Sequence, residues 1–544
     1  MTQRTEHRLA ALALAITLLG IIVGLHSDVL SGGLSTRIGG GFHPGHAWAM
    51  DRVASMLWGS APWSGEQIPM GYPDIGHVRL IGWGGLLIGA VWVPLLGLIP
   101  AYHLTVVLTV LLSAWVSTLL IHRVTGAGPL TAAGASLVYA LGPMALGFLA
   151  NGQLAKLHLW CLPLCLLLAD LSIREDRRRW ALPATGLAAA LAGFSAPSIG
   201  LLLPFALGPW VLLRATGSRR WWWAGAVLLV AAAGLVLPML YHQLPGAGIA
   251  VLRPASPIPG LVHPVWLSPV ARPAEILLGW APWSAARDGI NNVSYLGLPA
   301  LVGGLLLARR GTAQRLGLAL LGLGILLALG PAIDGESVRW VLPAIVLEWA
   351  RYPIVQSGMY YRFGQVAALG LALLIAGGLS GRRGPALAWT LGALNIAAGI
   401  WATQALWPRP LQAFPGAPLY AQMAADPIPG AVLDLPLETI DTDGSKAALA
   451  QALHGRPSTA LVHNLTIQAS PRLRQLDALV RGLSRSPSPH QALAQAGFRY
   501  VVLRPTRDRH RPDVQARRLS TVLGAPAEDG GVRVWTIPQP GPGG

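Results

Sequence analysis

The sequence predicts a polytopic α-helical membrane protein with a small α/β domain at its C-terminal end. Three observations carry that prediction. Of 544 residues, 53% are hydrophobic and only 12% are charged, about half the charged share of an ordinary soluble chain. Apolar runs recur as far as Trp407, and several reach the roughly 18 to 20 residues that a bilayer core demands. Beyond Trp407 the pattern changes to short strands and short helices. The apolar runs are uninterrupted, which leaves helices as the spanning form. Barrel strands would alternate polar and apolar residues.

The first helix is predicted over 9–25. MTQRTEHR precedes the run LAALALAITLLGIIVGL. The arrangement is like a signal peptide, but no small-x-small cleavage site follows, so it reads as a retained helix with its basic end inside. Further apolar runs lie near 102–121, 130–149, 154–171, 180–196, 199–213, 222–240, 295–308, 316–331, 363–380 and 386–406. Basic clusters separate some of them: REDRRR at 174–179, RATGSRR at 214–220, Arg309 and Arg310 with Arg315, and Arg382 with Arg383. Arginine-rich connections collect in the cytoplasm. All four clusters fall there only if the run at 80–100 does not cross. That run holds several glycines and two prolines, and reads as re-entrant or interfacial. The expectation is about eleven spans in a cell inner membrane, with the N-terminus cytoplasmic and the C-terminal domain extracytoplasmic.

The predicted division is a transmembrane domain over 1–407, with external loops at 26–79, 241–294 and 332–362. A Pro-rich linker follows at 408–429, then a soluble α/β domain over 430–544. In that domain GAVLDLPLE (430–438) alternates as a strand does. SKAALAQALHG (445–455) and SPRLRQLDALVRGL (470–483) have helical spacing. HQALAQAGFRYVVLRP (490–505) reads as a helix, a glycine stop and the strand FRYVVL, and EDGGVRVWTIP as a turn and a last strand.

The net charge of +17 is explained by positive-inside loops and anionic headgroups, so no nucleic-acid partner is expected. The two cysteines, Cys161 and Cys165, lie one helical turn apart in an apolar run and read as packing. No HxxxH or HExxH pattern occurs, so no zinc site is expected. No Gly-rich phosphate loop is present and no nucleotide cofactor is expected.

Candidate chemistry sits in the loops read as external. Asp51 lies in HAWAMDRVASMLW, whose apolar positions recur at roughly helical spacing and suggest an interfacial amphipathic helix anchored by Trp48, Trp58 and Trp63. His46 and Asp51 fall within about one and a half turns of each other. A carboxylate partly desolvated there could act as a general base; pairing with Arg52 is the simpler alternative. Asn151, Gln153 and Lys156 in ANGQLAKLHLW sit at the mouth of a helix pair, where polar groups often line a site, or form a plain turn with a snorkelling lysine. EWARYPIVQSGMYYRFGQ (348–365) holds Arg351, Arg362, Tyr352, Tyr360 and Tyr361. Forked guanidiniums suit phosphate oxygens and tyrosine rings suit a sugar face or an acyl chain; a headgroup-anchoring belt is the alternative.

The order of these parts resembles the GT-C superfamily of membrane glycosyltransferases, in a bacterial branch with a C-terminal extracytoplasmic domain. It rests on the acid-bearing first loop with IPMGYPDIG (68–76), which includes Asp74, then AYHLTVVLTVLLSAWVSTLLIHRVTG (101–126) and the NGQ turn before LHLWCLPLCLLLADLSIR (157–174). LALGPAIDG (327–335), the arginine–tyrosine loop and the domain with VLDLPL, LHGRP and YVVLRP complete it. The resemblance implies a polyprenyl-phosphate-linked sugar donor and inverting transfer on the extracytoplasmic face to a glycan, lipid or protein acceptor, with membrane lipids around the site. It implies Asp51 as the catalytic base. The substrate-binding candidates are Arg351 and Arg362 toward the phosphate, with Tyr361, His46, Asn151, Gln153 and Asp74. A divalent cation stays open, and no metal ligand is assigned. The chain departs from the family pattern in placing its acid three residues after Trp48, where the family commonly has it before the tryptophan. The competing reading is a non-catalytic transporter, flippase or scaffold for cell-envelope assembly, although a transporter should show internal repeats and mid-bilayer charges.

Overall fold

The structure is a computed structural model. It describes residues 3–25, 37–38, 44–59, 83–150, 152, 154–174, 180–215, 218–243, 295–330, 332–334, 339–341, 346–347, 360–379, 384–403, 412–435, 437, 442–459, 471–505 and 512–539. The helices in chain order begin with α1 (Gln3–Leu25), α2 (Pro44–Leu57), α3 (Trp83–Ala90), α4 (Val93–Leu96), α5 (Leu98–Thr125), α6 (Pro129–Ala140) and α7 (Pro143–Ala150). A 3-10 turn (Leu154–Lys156) leads into α8 (Cys161–Arg174), followed by α9 (Ala181–Ser195), α10 (Pro197–Arg214) and α11 (Ser218–Gln243). Then come α12 (Leu298–Leu306), α13 (Thr312–Ala328), α14 (Gly364–Gly378) and α15 (Gly384–Thr403).

The first helix shows why these runs belong in lipid. Ala10, Leu14 and Leu18, spaced by four, are buried against the bundle, while Leu12, Ile16 and Leu19 are exposed. A helix apolar on both its packed and its open face is a membrane helix. Among the described residues four helices are long and apolar enough to cross a bilayer: Leu98–Thr125, Leu154–Arg174, Arg220–Pro238 and Gly384–Ala402. The pair α6 and α7, bent by 53°, makes a fifth, and four shorter apolar helices accompany them. The run at 130–149, expected as one span, is therefore broken. Pro143 lacks an N–H and biases Gly142 before it away from helical geometry. The fold is that of a polytopic helical membrane protein with a small α/β portion.

The bundle interior carries polar residues that are satisfied locally. In α5, Thr105, Thr109, Ser113, Ser117 and Thr118 are buried, and each hydroxyl donates to the carbonyl four residues earlier. Such back-bonding lets a buried helix carry hydroxyls without leaving a donor orphaned. Where α13 meets α14 the backbones approach closely: a Cβ on Gly324 would fall 2.5 Å from the Ala367 nitrogen.

The ends of the helices sort into two groups. The rings of His7 and His122 meet edge to face at 5.1 Å, so the start of α1 and the end of α5 lie together. Arg123, Asp170 and Arg214, near the ends of α5, α8 and α10, join them. At the opposite end α3 meets Ser195 at the end of α9, and Leu154 and His158 before α8. With eight residues, α3 is about 12 Å long, well short of a bilayer core of roughly 30 Å. After it the chain turns through α4 and Gly97 directly into α5. Residues 83–97 thus stay at one end of the bundle.

Within the range read as a linker, 408–429, the structure describes β4 (Gln412–Ala413) and α16 (Ala417–Ala425). β4 pairs antiparallel with β1 (Arg37–Ile38), which ties the first loop to the C-terminal part. β2 (Ala332–Asp334) and β3 (Arg339–Val341) form a short hairpin. The C-terminal sheet has the order β5 (Ala431–Leu435), β6 (Phe498–Leu503), β8 (Val532–Thr536), β7 (Ala527–Asp529). β5 and β6 run parallel, and the other neighbours are antiparallel. The crossover between the parallel strands holds α17 (Thr442–His454), α18 (Pro471–Gly482) and α19 (Pro489–Gln495), and α20 (Pro512–Leu523) precedes the final hairpin. All five residues of β5 are buried, as expected of a strand covered on both faces. One sheet face, with Val432, Tyr500 and Val502, continues into the core of the membrane bundle. The other, with Leu433, Phe498, Val501 and Trp535, closes a separate core under α18 to α20.

Candidate functional site

The helix bearing Asp51 lies between the bundle and the C-terminal domain. α2 packs on α3 and α5 to one side and on α17 to the other. Its apolar positions Trp48, Met50, Val53 and Ala54 are buried, which fixes the helix without lipid. Trp48 is only 1% exposed, and its indole N–H donates to Gln451 Oε1 on α17 at 2.7 Å. The expected headgroup anchor at Trp48 is therefore corrected: this tryptophan joins two parts of the protein. Trp58 is exposed and donates to the Ala90 carbonyl at 3.1 Å.

Asp51 and His46 are half-buried on this helix. Burial pushes the Asp51 carboxyl up from its ordinary 3.8 to about 6, and the neighbouring Arg52 guanidinium offsets part of that. Arg52 is thus the electrostatic partner of Asp51, but desolvation outweighs it. The result is a carboxylate whose basicity is matched to neutral pH.

Glycines make α3 the bridge from this helix to the second part of the site. A Cβ on Gly89 would collide with Met50, the residue beside Asp51, and would lie 2.6 Å from Thr105 Oγ1. A Cβ on Gly85 would lie 2.5 Å from His158 Nε2 and 3.0 Å from Leu154 Cγ. Absence of side chains at these positions lets α2 and the turn at 154–156 close onto the same short helix. Tyr102 donates to the Gly152 carbonyl at 2.6 Å and fixes the chain just before that turn.

Lys156 ends the turn, with its ammonium 5.6 Å from the centre of the Phe148 ring. Arg362 lies in the 3-10 turn Tyr360–Phe363 and is only 8% exposed. Phe363 beside it packs edge to face on Phe205 at 5.1 Å. Lys156 and Arg362, from segments about 200 residues apart, are close enough for their charges to act on one another. Two cations within electrostatic reach of one another raise the local affinity for an anion between them.

The structure aligns with the arabinofuranosyltransferase AftD from Mycobacteria at a TM-score of 0.57 and 17% identity, over 99% of this chain and 40% of AftD. The chain has the GT-C fold. It spans about two fifths of the length of AftD. The archaeal oligosaccharyltransferase AglB from Archaeoglobus fulgidus, solved with an inhibitory peptide and a dolichol-phosphate, aligns at a TM-score of 0.50 and 14% identity, over 90% of this chain and 69% of AglB. ArnT from Cupriavidus metallidurans aligns over 99% of each chain at 16% identity with a TM-score of 0.47. No family model and no curated protein sequence matches the chain.

Of the residues expected to form the GT-C site, Asp51, His46 and Arg362 are placed as described. Arg351, Asp74, Asn151 and Gln153 lie outside the described residues, as does the side chain of Tyr361. Among the described residues no three His, Cys, Asp or Glu side chains come together to hold a metal ion. Cys161 and Cys165 are buried free thiols in the packed interior of α8. The nearness of Lys156 to Arg362 left no signal in the spacing of either segment. Gln451 carried no signal at all: a glutamine in an amphipathic helix says nothing of the tryptophan it will meet 403 residues away.

Proposed function

We propose that this protein is an inverting GT-C-type glycosyltransferase that moves a sugar from a polyprenyl-phosphate donor to an acceptor on the extracytoplasmic face of a cell inner membrane. The observation that carries the reading is that Lys156, on the turn packed against the short helix that also holds the Asp51 helix, lies within electrostatic reach of buried Arg362. The dolichol-phosphate in the AglB structure supports it, since that protein shares the fold. The donor's tail stays in lipid while its phosphate reaches the two cations. Asp51 takes the proton of the acceptor hydroxyl, and the acceptor oxygen attacks the anomeric carbon from the face opposite the phosphate. The carbon–oxygen bond to the phosphate breaks, and the polyprenyl phosphate leaves with the bonding pair, its charge balanced by Lys156 and Arg362.

The experiment is comparative mass spectrometry of envelope glycans and lipids from cells with the gene, without it, and with the gene carrying Asp51→Asn. The reading requires a glycan or glycolipid that loses one sugar without the gene, and that the Asp51→Asn form fails to restore. An unchanged envelope in all three would overturn it.

A further inference from the structure

The bundle end opposite Asp51 has its own electrostatic design. Asp170, fully buried near the end of α8, accepts from Arg123 Nε at 2.7 Å and from Arg214 Nε at 2.6 Å. One carboxylate thereby ties the ends of α5, α8 and α10 together. Arg174, exposed one turn beyond Asp170, lies within electrostatic reach of Asp170 and of Arg123, Arg214 and Arg220. Among the described side chains Arg123, Arg174, Arg214 and Arg220 gather about Asp170 here. Four guanidiniums about one carboxylate make this end attractive to anions.

Exposed aromatic residues indicate where those anions lie. Trp180, Trp221 and Trp222 stand 57%, 47% and 84% exposed at the starts of α9 and α11. The two helices pack in parallel, with Gly186 against Val230 and Gly193 against Pro238, so the three rings share the arginine-rich end. Tryptophan settles at headgroup depth, and arginine pairs with phosphodiester oxygens there. A soluble anion would need the arginines alone and gives no reason for three exposed indoles beside them.

We propose that this end binds the headgroup of an anionic phospholipid of the cytoplasmic leaflet, with Arg174 and Arg220 on its phosphate and Trp180, Trp221 and Trp222 flanking it at the glycerol level. The site is separate from the Lys156–Arg362 pair and does not depend on the transfer reading. The probe is phosphatidylglycerol, with phosphatidylcholine as the zwitterionic control, titrated onto delipidated full-length protein in detergent and read by native mass spectrometry. Wild type should retain phosphatidylglycerol adducts and release phosphatidylcholine. An R174Q/R220Q variant should retain phosphatidylglycerol about 30-fold more weakly, about fivefold per arginine. W222A should weaken retention while leaving every charge in place. Lys156→Gln should leave phosphatidylglycerol retention unchanged, which separates this site from the donor site. Millimolar inorganic phosphate should fail to displace the lipid; displacement would overturn the lipid assignment in favour of a free-phosphate site. Equal retention of the two lipids, or undiminished retention by a folded R174Q/R220Q variant, would overturn the proposal outright.

Discussion

Replacing Asp51 by asparagine should abolish sugar transfer and, at neutral pH, stabilise the protein. The carboxyl is held at about 6 against an ordinary 3.8, chiefly by burial. Its native form therefore keeps a proton that the unfolded chain has already lost between pH 4 and pH 6. Over that window the native state binds more protons than the unfolded state, so stability falls as pH rises. The loss is complete above about pH 6. A displacement of this size corresponds to about 3 kcal/mol, an upper value for a half-buried group that water partly screens. Asparagine has the same shape and no charge to desolvate. Asp51→Asn should raise the unfolding temperature at pH 7.5, and the gain should shrink toward zero at pH 4. The assay is thermal unfolding in nanodiscs across that pH range, paired with a transfer assay in membranes. A variant no more stable than wild type at pH 7.5, or one that keeps full transfer activity, would refute the reasoning.

Other predictions follow from the same geometry. Lys156→Gln and Arg362→Gln should each raise the KM for a polyprenyl-phosphate donor by about tenfold, equivalent to about 1.4 kcal/mol, with a smaller change in kcat; an unchanged KM in steady-state kinetics would remove the pair from the donor site. Trp48→Phe removes the indole N–H that reaches Gln451 together with part of a fully buried ring, and should cost more than the roughly 1 kcal/mol of the hydrogen bond alone. In a double-mutant cycle with Gln451→Leu the two losses should be strongly non-additive. Asp434, buried in β5, accepts from Arg504 and Ser458. Asp434→Ala should destabilise the C-terminal domain by roughly 3 to 5 kcal/mol, visible as a large drop in the first thermal transition.

Legibility from sequence followed the length scale of the interaction. The helix expected at 180–196 is found over Ala181–Ser195, and the strand FRYVVL over Phe498–Leu503, because hydrophobic periodicity and a glycine stop are local signals. Gly142-Pro143 carried the break between α6 and α7 in plain view, but the long apolar run around it masked the break. α20 was missed: PDVQARRLSTVL is amphipathic, yet it lies between two loop-like stretches that drew attention from its spacing. For the site, Asp51 and Arg362 were named from residue chemistry together with the family resemblance, and Lys156 as one of two readings of its turn. Their arrangement was not legible, since it depends on Gly85 and Gly89 admitting two distant segments to one short helix. Trp48 was misread for a related reason. An aromatic residue on an amphipathic helix looks the same whether its face will meet lipid or a domain encoded four hundred residues later.

The central claim is that Lys156 and Arg362 hold the phosphate of a polyprenyl-linked donor beside the Asp51 helix. Cryo-electron microscopy of the protein in nanodiscs containing a polyprenyl monophosphate measures this directly. The account predicts phosphate density in contact with both the Lys156 ammonium and the Arg362 guanidinium. Phosphate density confined to the Arg174 end, or none near Lys156 with the lipid otherwise bound, would contradict it.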